Sequence, residues 1–178
     1  MIEVAEKLHL EDNVRVKDGN GVEKRIAISP DIKGILGSNQ RKYILDLLRL
    51  SPRDLNYPQI ENETCVLRPE LIKSFKAHKV DKNEQMSKIN CNIGTEIQFI
   101  ENEETPKQKA LLEEMAKYII DETIPSVINS LKNNGSTYLT NCEGISQAFH
   151  EQGLNMRYLG KVYHHPELDN HFHIKIFL

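Results

Sequence analysis

The 178-residue chain reads as an α+β protein: a short N-terminal helix and a small antiparallel β-meander, followed by a mainly α-helical second half. Three observations predict this class. Asp18-Gly-Asn-Gly21 separates two alternating runs, as a tight hairpin turn does, because Asp-Gly and Asn-Gly supply the positive φ angles such turns require. Gly37-Ser-Asn-Gln40 separates a second pair of β-prone runs. From Thr105 onward the apolar residues recur at helical spacing.

In chain order, Ile2, Val4, Ala5 and Leu8 share one face of a short helix. Val14–Lys17 and Val22–Ile28 make the first hairpin; Ile32–Leu36 and Lys42–Leu47 make the second. Ser51-Pro-Arg-Asp-Leu-Asn-Tyr-Pro58 is irregular, since two prolines bracket turn-forming residues. Arg68-Pro69-Glu70 opens a helix through His78, with proline in the first turn, where its missing N–H costs nothing. Residues 80–105 are rich in Asn, Lys and Glu and read as a polar linker, holding at most a short strand at 95–100. Thr105 and Gln108 form a capping-box pair at the start of a helix carrying Leu111, Leu112, Met115, Ile119 and Ile120. Pro125 kinks or restarts that helix, and Asn134-Gly135 ends it. Helices at 143–152 and about 155–164 meet at Gly153, and His171–Leu178 alternates like a strand. The expected division is therefore 1–79 β-rich with a closing helix, 80–105 linker, and 106–178 helical.

Composition narrows the function classes. Apolar residues make up 39% and charged residues 28%, which suits one folded domain or two small ones with long solvated faces. A net charge of −3 excludes a globally basic nucleic-acid binder, although averages hide local patches. Cys65, Cys91 and Cys142 are odd in number and widely spaced, so neither a disulfide framework nor a zinc knuckle is indicated. They are expected as reduced thiols of a cytoplasmic protein. The acidic, amphipathic N-terminus resembles no signal or transit peptide, and no apolar run approaches the roughly 20 residues that span a bilayer.

Three constellations invite chemistry. His164, His165, Glu167, Asp169, His171 and His173 have metal-ligating side chains, but they fall in a loop and a terminal tail rather than on fixed elements, so no metal is assigned. Asp31-x-Lys33 and Asp46, fifteen residues on, have the spacing of phosphoryl-transfer carboxylates around a hairpin. No catalytic-loop Asn follows Asp31, Leu-Leu follows Asp46 where Phe-Gly is expected, and no glycine-rich loop precedes. Asp46 is assigned instead to capping or to pairing with Arg41 or Arg49. No nucleophile motif, Walker loop or His-Glu-x-x-His is present, so no catalytic residue and no cofactor are assigned. The third constellation is basic: Arg41, Lys42, Arg49 and Arg53 interleaved with Tyr43 and Tyr57, and Arg157, Tyr158 and Lys161 further on. Such residues contact phosphates and stack on bases. The competing assignment packs the tyrosines into a core and makes the arginines bridge elements or sit in solvent.

Two strings carry a family resemblance. One is Asp31-Ile-Lys-Gly-Ile-Leu-Gly37 followed by Arg41-Lys-Tyr-Ile-Leu-Asp-Leu-Leu-Arg49 and Pro52-Arg-Asp-Leu-Asn56. The other is Gly153-Leu-Asn-Met-Arg-Tyr-Leu-Gly-Lys-Val162, which follows an amphipathic helix. In this order they resemble the clustered-mitochondria (Clu) family, whose central Clu region runs into a region named for a p135 subunit associated with initiation factor three. The resemblance covers most of residues 1–58, resumes at Val66-Leu-Arg-x-Glu-Leu71, and continues through the Ile124-Pro125 helix and 143–162. It implies a non-enzymatic cytoplasmic scaffold acting in mitochondrial distribution, with messenger RNA and initiation factor three or ribosomal proteins as partners, or protein contacts alone. It implies no catalytic residues. It also implies a fragment or reduced member of a larger protein with helical repeats. Asn39-Gln40 stands where the family has an Asp-Gly turn, which weakens the expectation of a second hairpin.

Overall fold

The computed structural model describes residues 1–59, 61, 64–138 and 142–168, and the side chains within them except those of 134–138 and 142. The α+β class is as expected. The elements are α1 (Ile2–Lys7), β1 (Val14–Lys17), β2 (Glu23–Ile26), β3 (Lys33–Leu36), β4 (Lys42–Leu45), α2 (Pro69–Asp81), α3 (Thr105–Tyr118), α4 (Ile124–Tyr138), α5 (Cys142–Glu151) and α6 (Leu159–Tyr163). They fall into two compact units: residues 1–67 with 83–114, and residues 68–82 with 115–178. The anticipated tail strand at 171–178 lies outside the described residues.

In the first unit the strands form two separate antiparallel hairpins, β1–β2 and β3–β4. Val14 pairs with Ile26 and Lys17 with Glu23. Asp18 organises the turn between them, its Oδ1 accepting from the Asn20 and Val22 amides at 3.0 Å. Gly21 takes the left-handed φ of 77° that closes it. The β3–β4 turn forms without glycine at the left-handed position: Gln40 adopts φ 64° there, and Asn39 Oδ1 accepts from the Arg41 amide at 3.1 Å. A side-chain hydrogen bond thus does locally what the Asp-Gly turn would do through backbone freedom.

Helix α1 ends in a Schellman-type cap with His9 at the position glycine usually fills. Leu10 N–H bonds Ala5 O at 2.7 Å and His9 N–H bonds Glu6 O at 3.1 Å. His9 Nε2 also meets Met86 O at 3.0 Å, which ties the cap to residues 83–93.

That stretch is the main departure from expectation. Residues 80–105 hold no strand, and Met86 and residues 89–93 among them are packed rather than solvated. Met86, Ile89, Cys91 and Ile93 are buried with Ala5, Leu10, Val14, Val16, Ile28, Leu111 and Leu112. Irregular backbone survives in a core only if its polar groups find partners. Here Asn92 Nδ2 donates to Ile28 O at 3.0 Å, and Ile89 exchanges backbone hydrogen bonds with His9 and Glu11.

The start of α3 also differs. The reciprocal cap lies one turn upstream, between Asn102 and Thr105: Asn102 Oδ1 accepts from the Glu104 and Thr105 amides, and Thr105 Oγ1 accepts from the Asn102 amide at 2.9 Å. Gln108 is released to reach Glu11 Oε2 and Lys88 O.

The second unit is helical. Pro125 is accommodated by a π-helical turn over Ile119–Thr123, which relieves the clash of its ring with the preceding turn before α4 begins. Helix α4 does not stop at Asn134-Gly135 but runs to Tyr138. One interior glycine costs only about 1 kcal/mol, which buried Val127, Ile128 and Leu131 on the same helix offset. In α2, Phe75 meets Tyr118 edge-on at 5.2 Å, and Ser74 Oγ lies 3.1 Å from Tyr118 Oη.

Helix α5 ends in a complete Schellman motif: Gly153 N–H to His150 O and Leu154 N–H to Phe149 O, both 2.9 Å. Gly153 has φ 77°, and a methyl group added there would lie 2.5 Å from Leu71 Cα in α2 and closer still to its amide nitrogen. Two conditions therefore demand glycine at once: the backbone angle and the close approach of α2.

Gly153→Ala should destabilise the protein by about 3 kcal/mol, because overpacking adds to the left-handed penalty. Urea unfolding checks this, and an unchanged midpoint would refute the close approach. His150, on the last turn of α5, is held below the ordinary imidazole range by burial and by the Arg68 guanidinium, with Glu70 opposing. A base whose folded pKa is lowered is protonated preferentially in the unfolded chain. Its contribution is therefore complete above about pH 6.5 and is lost as pH falls through that value toward the folded one. In His150→Gln the loss of thermal stability between pH 7.5 and 5 should be smaller; parallel curves would exclude the linkage.

Candidate functional site

Of the seven residues singled out by sequence, four lie in the first unit and three in the second. Arg41 and Lys42 are exposed on the β3–β4 hairpin beside Tyr43. Pairing of Ile35 with Tyr43 and of Leu36 with Lys42 places Lys33, Ile35, Tyr43 and Leu45 on one face of the ribbon. Gly34, Leu36, Lys42 and Ile44 occupy the other. Both faces are open: Ile35, Leu36, Tyr43, Ile44 and Leu45 are between 41 and 63% exposed, and Leu47 and Leu48 beyond the hairpin are as open. The second hairpin thus carries apolar side chains on both faces with no core behind either.

Arg49 leaves that surface. It is half-buried in the 3-10 turn Leu47–Leu50, and its Nε lies 3.8 Å from Asp31 Oδ2. Asp46, expected to cap or to pair with Arg41 or Arg49, takes the N-cap position of that turn without a side-chain cap bond and pairs with Lys33 Nζ at 3.4 Å, since β3 and β4 bring Lys33 and Leu45 opposite each other.

Arg53 is 6% exposed and lies inside the fold rather than on its surface. Its guanidinium donates to three backbone carbonyls: Gly94 at 2.8 Å, Gln59 at 3.0 Å and Tyr57 at 3.3 Å. A lysine could not span this set, because it lacks the planar fork of donors.

In the second unit Tyr158 is 1% exposed and lies in the core. Arg157 is half-buried and engaged with neighbours. Lys161 is exposed, with its Nζ 5.5 Å from the Tyr158 ring centroid in a cation–π contact. Of the charged residues proposed from sequence, Arg41, Lys42 and Lys161 are the ones that face solvent broadly.

The structure adds a feature that sequence reading did not assemble. A cavity of about 530 Å³ in the first unit is lined by Ser29–Asp31, by Lys33, Asp46 and Arg49, and by Cys91 and Thr95. Arg53 contributes to its wall. Burial pushes the Cys91 thiol up to about 12, so it stays protonated and is no nucleophile. The spacing of Asp31 and Asp46 was the one available signal. That both line one cavity depends on a register that spacing does not reveal.

Among the described residues, no three His, Cys, Asp or Glu side chains gather in a metal-holding group, and no helix is long and apolar enough to cross a membrane. His164, His165 and Glu167 are described, whereas Asp169, His171 and His173 lie outside the described residues.

Fold and surface define a class: a small α+β protein with an exposed basic and apolar hairpin and a helical second unit. Two family models match it in sequence order, "Clustered mitochondria" over residues 1–57 and "Translation initiation factor eIF3 subunit 135" over residues 136–176. A clustered mitochondria protein of Arabidopsis thaliana is 42% identical over 49% of this chain and 6% of its own length. Homologues from Candida glabrata and Dictyostelium discoideum are 30% and 25% identical over 76% and 91% of this chain, which correspond to 12% and 16% of theirs. No solved structure matches. The chain belongs to the clustered mitochondria family, and it spans between 6 and 16% of the length of these relatives.

Arg53→Met should cost about 3 kcal/mol, because it strands carbonyls that the guanidinium satisfies. Arg41→Ala should stay within about 0.5 kcal/mol, as for other exposed positions. Chemical denaturation of the two variants side by side tests the contrast, and equal losses would contradict it.

Proposed function

We propose that this chain is a non-catalytic, cytoplasmic interaction module of the clustered mitochondria family. It contacts messenger RNA and the translation machinery in the service of mitochondrial distribution, with the β3–β4 hairpin as its contact element. One observation carries this reading: the hairpin exposes apolar side chains on both faces, framed by Arg41 and Lys42. An isolated two-stranded ribbon is marginal in water, and a partner that covers it removes that cost. Arg41 and Lys42 suit phosphates, and Tyr43 offers a ring on which a base stacks. The match to the initiation-factor subunit model supports a translational setting.

A second reading keeps the hairpin but replaces RNA with protein. It is favoured by Ile35, Leu36, Ile44, Leu45, Leu47 and Leu48, all exposed aliphatic groups that do not stack bases. In that reading the module docks on initiation factor three or a ribosomal protein.

Gel shifts with single-stranded RNA across a salt series separate the two. RNA contact predicts affinity that falls steeply with salt, a slope reduced by about one unit for each of Arg41→Ala and Lys42→Ala, and weaker binding by about 1–3 kcal/mol in Tyr43→Ala. Salt-independent binding, or none, removes RNA. The protein reading then requires that Leu36→Asp and Ile44→Asp abolish pull-down of initiation-factor or ribosomal components; retention by both variants sinks it.

A further inference from the structure

The cavity behind the β3–β4 hairpin plays no part in that reading, and its chemistry is specific. Its volume of about 530 Å³ lies within the range of small-molecule sites. Its ionic side chains have both signs, four of them in two pairs: Lys33 with Asp46 at 3.4 Å, and Arg49 with Asp31 at 3.8 Å. Both pairs are long and partly solvated, so each exchanges readily for a better partner. Arg53 adds a third positive charge to the wall, leaving the lining one charge positive.

A ligand entering here must satisfy four ionic groups at once. A simple anion takes Lys33 and Arg49 but strands two carboxylates. A bare divalent cation takes Asp31 and Asp46 but strands the two bases, and two carboxylates are few for an ion that seeks six or more oxygens. A polyphosphate carrying its own divalent cation meets all four. Magnesium is commonly held by one or two carboxylates, with phosphate oxygens and water completing its shell. Leu48, Val66 and Ile97 supply an apolar wall for a planar base, and Ser29, Ser51 and Thr95 supply hydroxyls.

The backbone fixes the carboxylates. Asp46 itself has φ 60°, and Ile28, fully buried, has φ 79° just before Ser29-Pro30-Asp31. A β-branched residue in the left-handed region is a genuine outlier, and such outliers concentrate at ligand sites. Asn92 Nδ2, donating to Ile28 O, holds that elbow in place.

We propose that this cavity binds a nucleoside polyphosphate with a divalent cation, the cation on Asp31 and Asp46 and the phosphates on Lys33 and Arg49. Binding requires no transfer step, and it uses neither Arg41 nor Lys42.

The test uses the 178-residue chain with ATP, ADP or inorganic tripolyphosphate, each with Mg²⁺ and with EDTA, read by calorimetry and thermal shift. Saturating Mg-ATP should raise the melting temperature by about 5 °C or more, with affinity falling at least about tenfold on chelation. Asp31→Asn and Asp46→Asn should weaken Mg-ATP binding by a similar factor, and Arg41→Ala should leave it unchanged. ATP binding tighter than tripolyphosphate supports the nucleoside assignment, and equal binding overturns it. A flat response to Mg-ATP, or affinity indifferent to EDTA, overturns the whole proposal. Should the aspartate variants fail to fold, Mn²⁺ relaxation enhancement on the wild-type chain decides: enhancement that requires ATP supports the site, and its absence rejects it.

Discussion

The first unit depends on a buried guanidinium. Its regular elements are two ribbons, a short helix and the first turns of α3, and much of its remaining core is backbone that no ladder or helix satisfies. Arg53 answers three of those carbonyls from one side chain and joins residues 57–59 to Gly94. The antiparallel bridge between Arg53 and Val66, and the bond from Leu67 N–H to Pro52 O, carry the same connection into the segment leading to α2. Asn92 and Gln108 repeat the device at two further points, each spending a side-chain amide on a main-chain carbonyl. Satisfying buried carbonyls is thus the constraint that positions the cavity walls.

The second unit is organised on different terms. Its helices satisfy their own backbone, so what must be arranged is approach. Gly153 lets the end of α5 lie against Leu71, and the π-helical turn before α4 lets a proline sit early in a helix without breaking the chain's helical course. Tyr158 and Val162 then fill the space beneath, and for that reason the family-defining string Gly153–Val162 is mostly architecture. Its tyrosine is core, its glycine is a joint, and Lys161 alone of its charged groups stands well out in solvent.

The regular elements were legible because their signals are local. Asp18-Gly-Asn-Gly21 announces a turn, Arg68-Pro69 a helix start, and Leu111 to Ile119 a helical stripe. The role of residues 83–104 was not legible, because Met86, Ile89, Cys91 and Ile93 follow no period and their burial depends on chain far away in sequence. The cap on α3 was displaced for a related reason: Asn102 and Thr105 are both competent, and Gln108 has better partners in Glu11 and Lys88. For the candidate contacts, residue type pointed to Arg41 and Lys42 on an open ribbon. It could not tell them from Arg53, whose partners lie four, six and forty-one residues away. Asp31 and Asp46 were noticed by spacing, and Asp46 was expected to cap or to pair with Arg41 or Arg49, whereas the register sets Lys33 against it.

The open ribbon has a consequence for the chain's own behaviour. Both of its strands are edges, and Tyr43-Ile-Leu-Asp-Leu-Leu48 is a β-prone stretch without proline or glycine. Such stretches recruit copies of themselves, edge to edge, into cross-β stacks. Here Arg41 and Lys42 stand at one end, Arg49 at the other, and Asp46 interrupts the middle. Stacked in register, these like charges would repel at every layer. Arg41, Lys42, Asp46 and Arg49 therefore act as gatekeepers that close this apolar surface to its own kind.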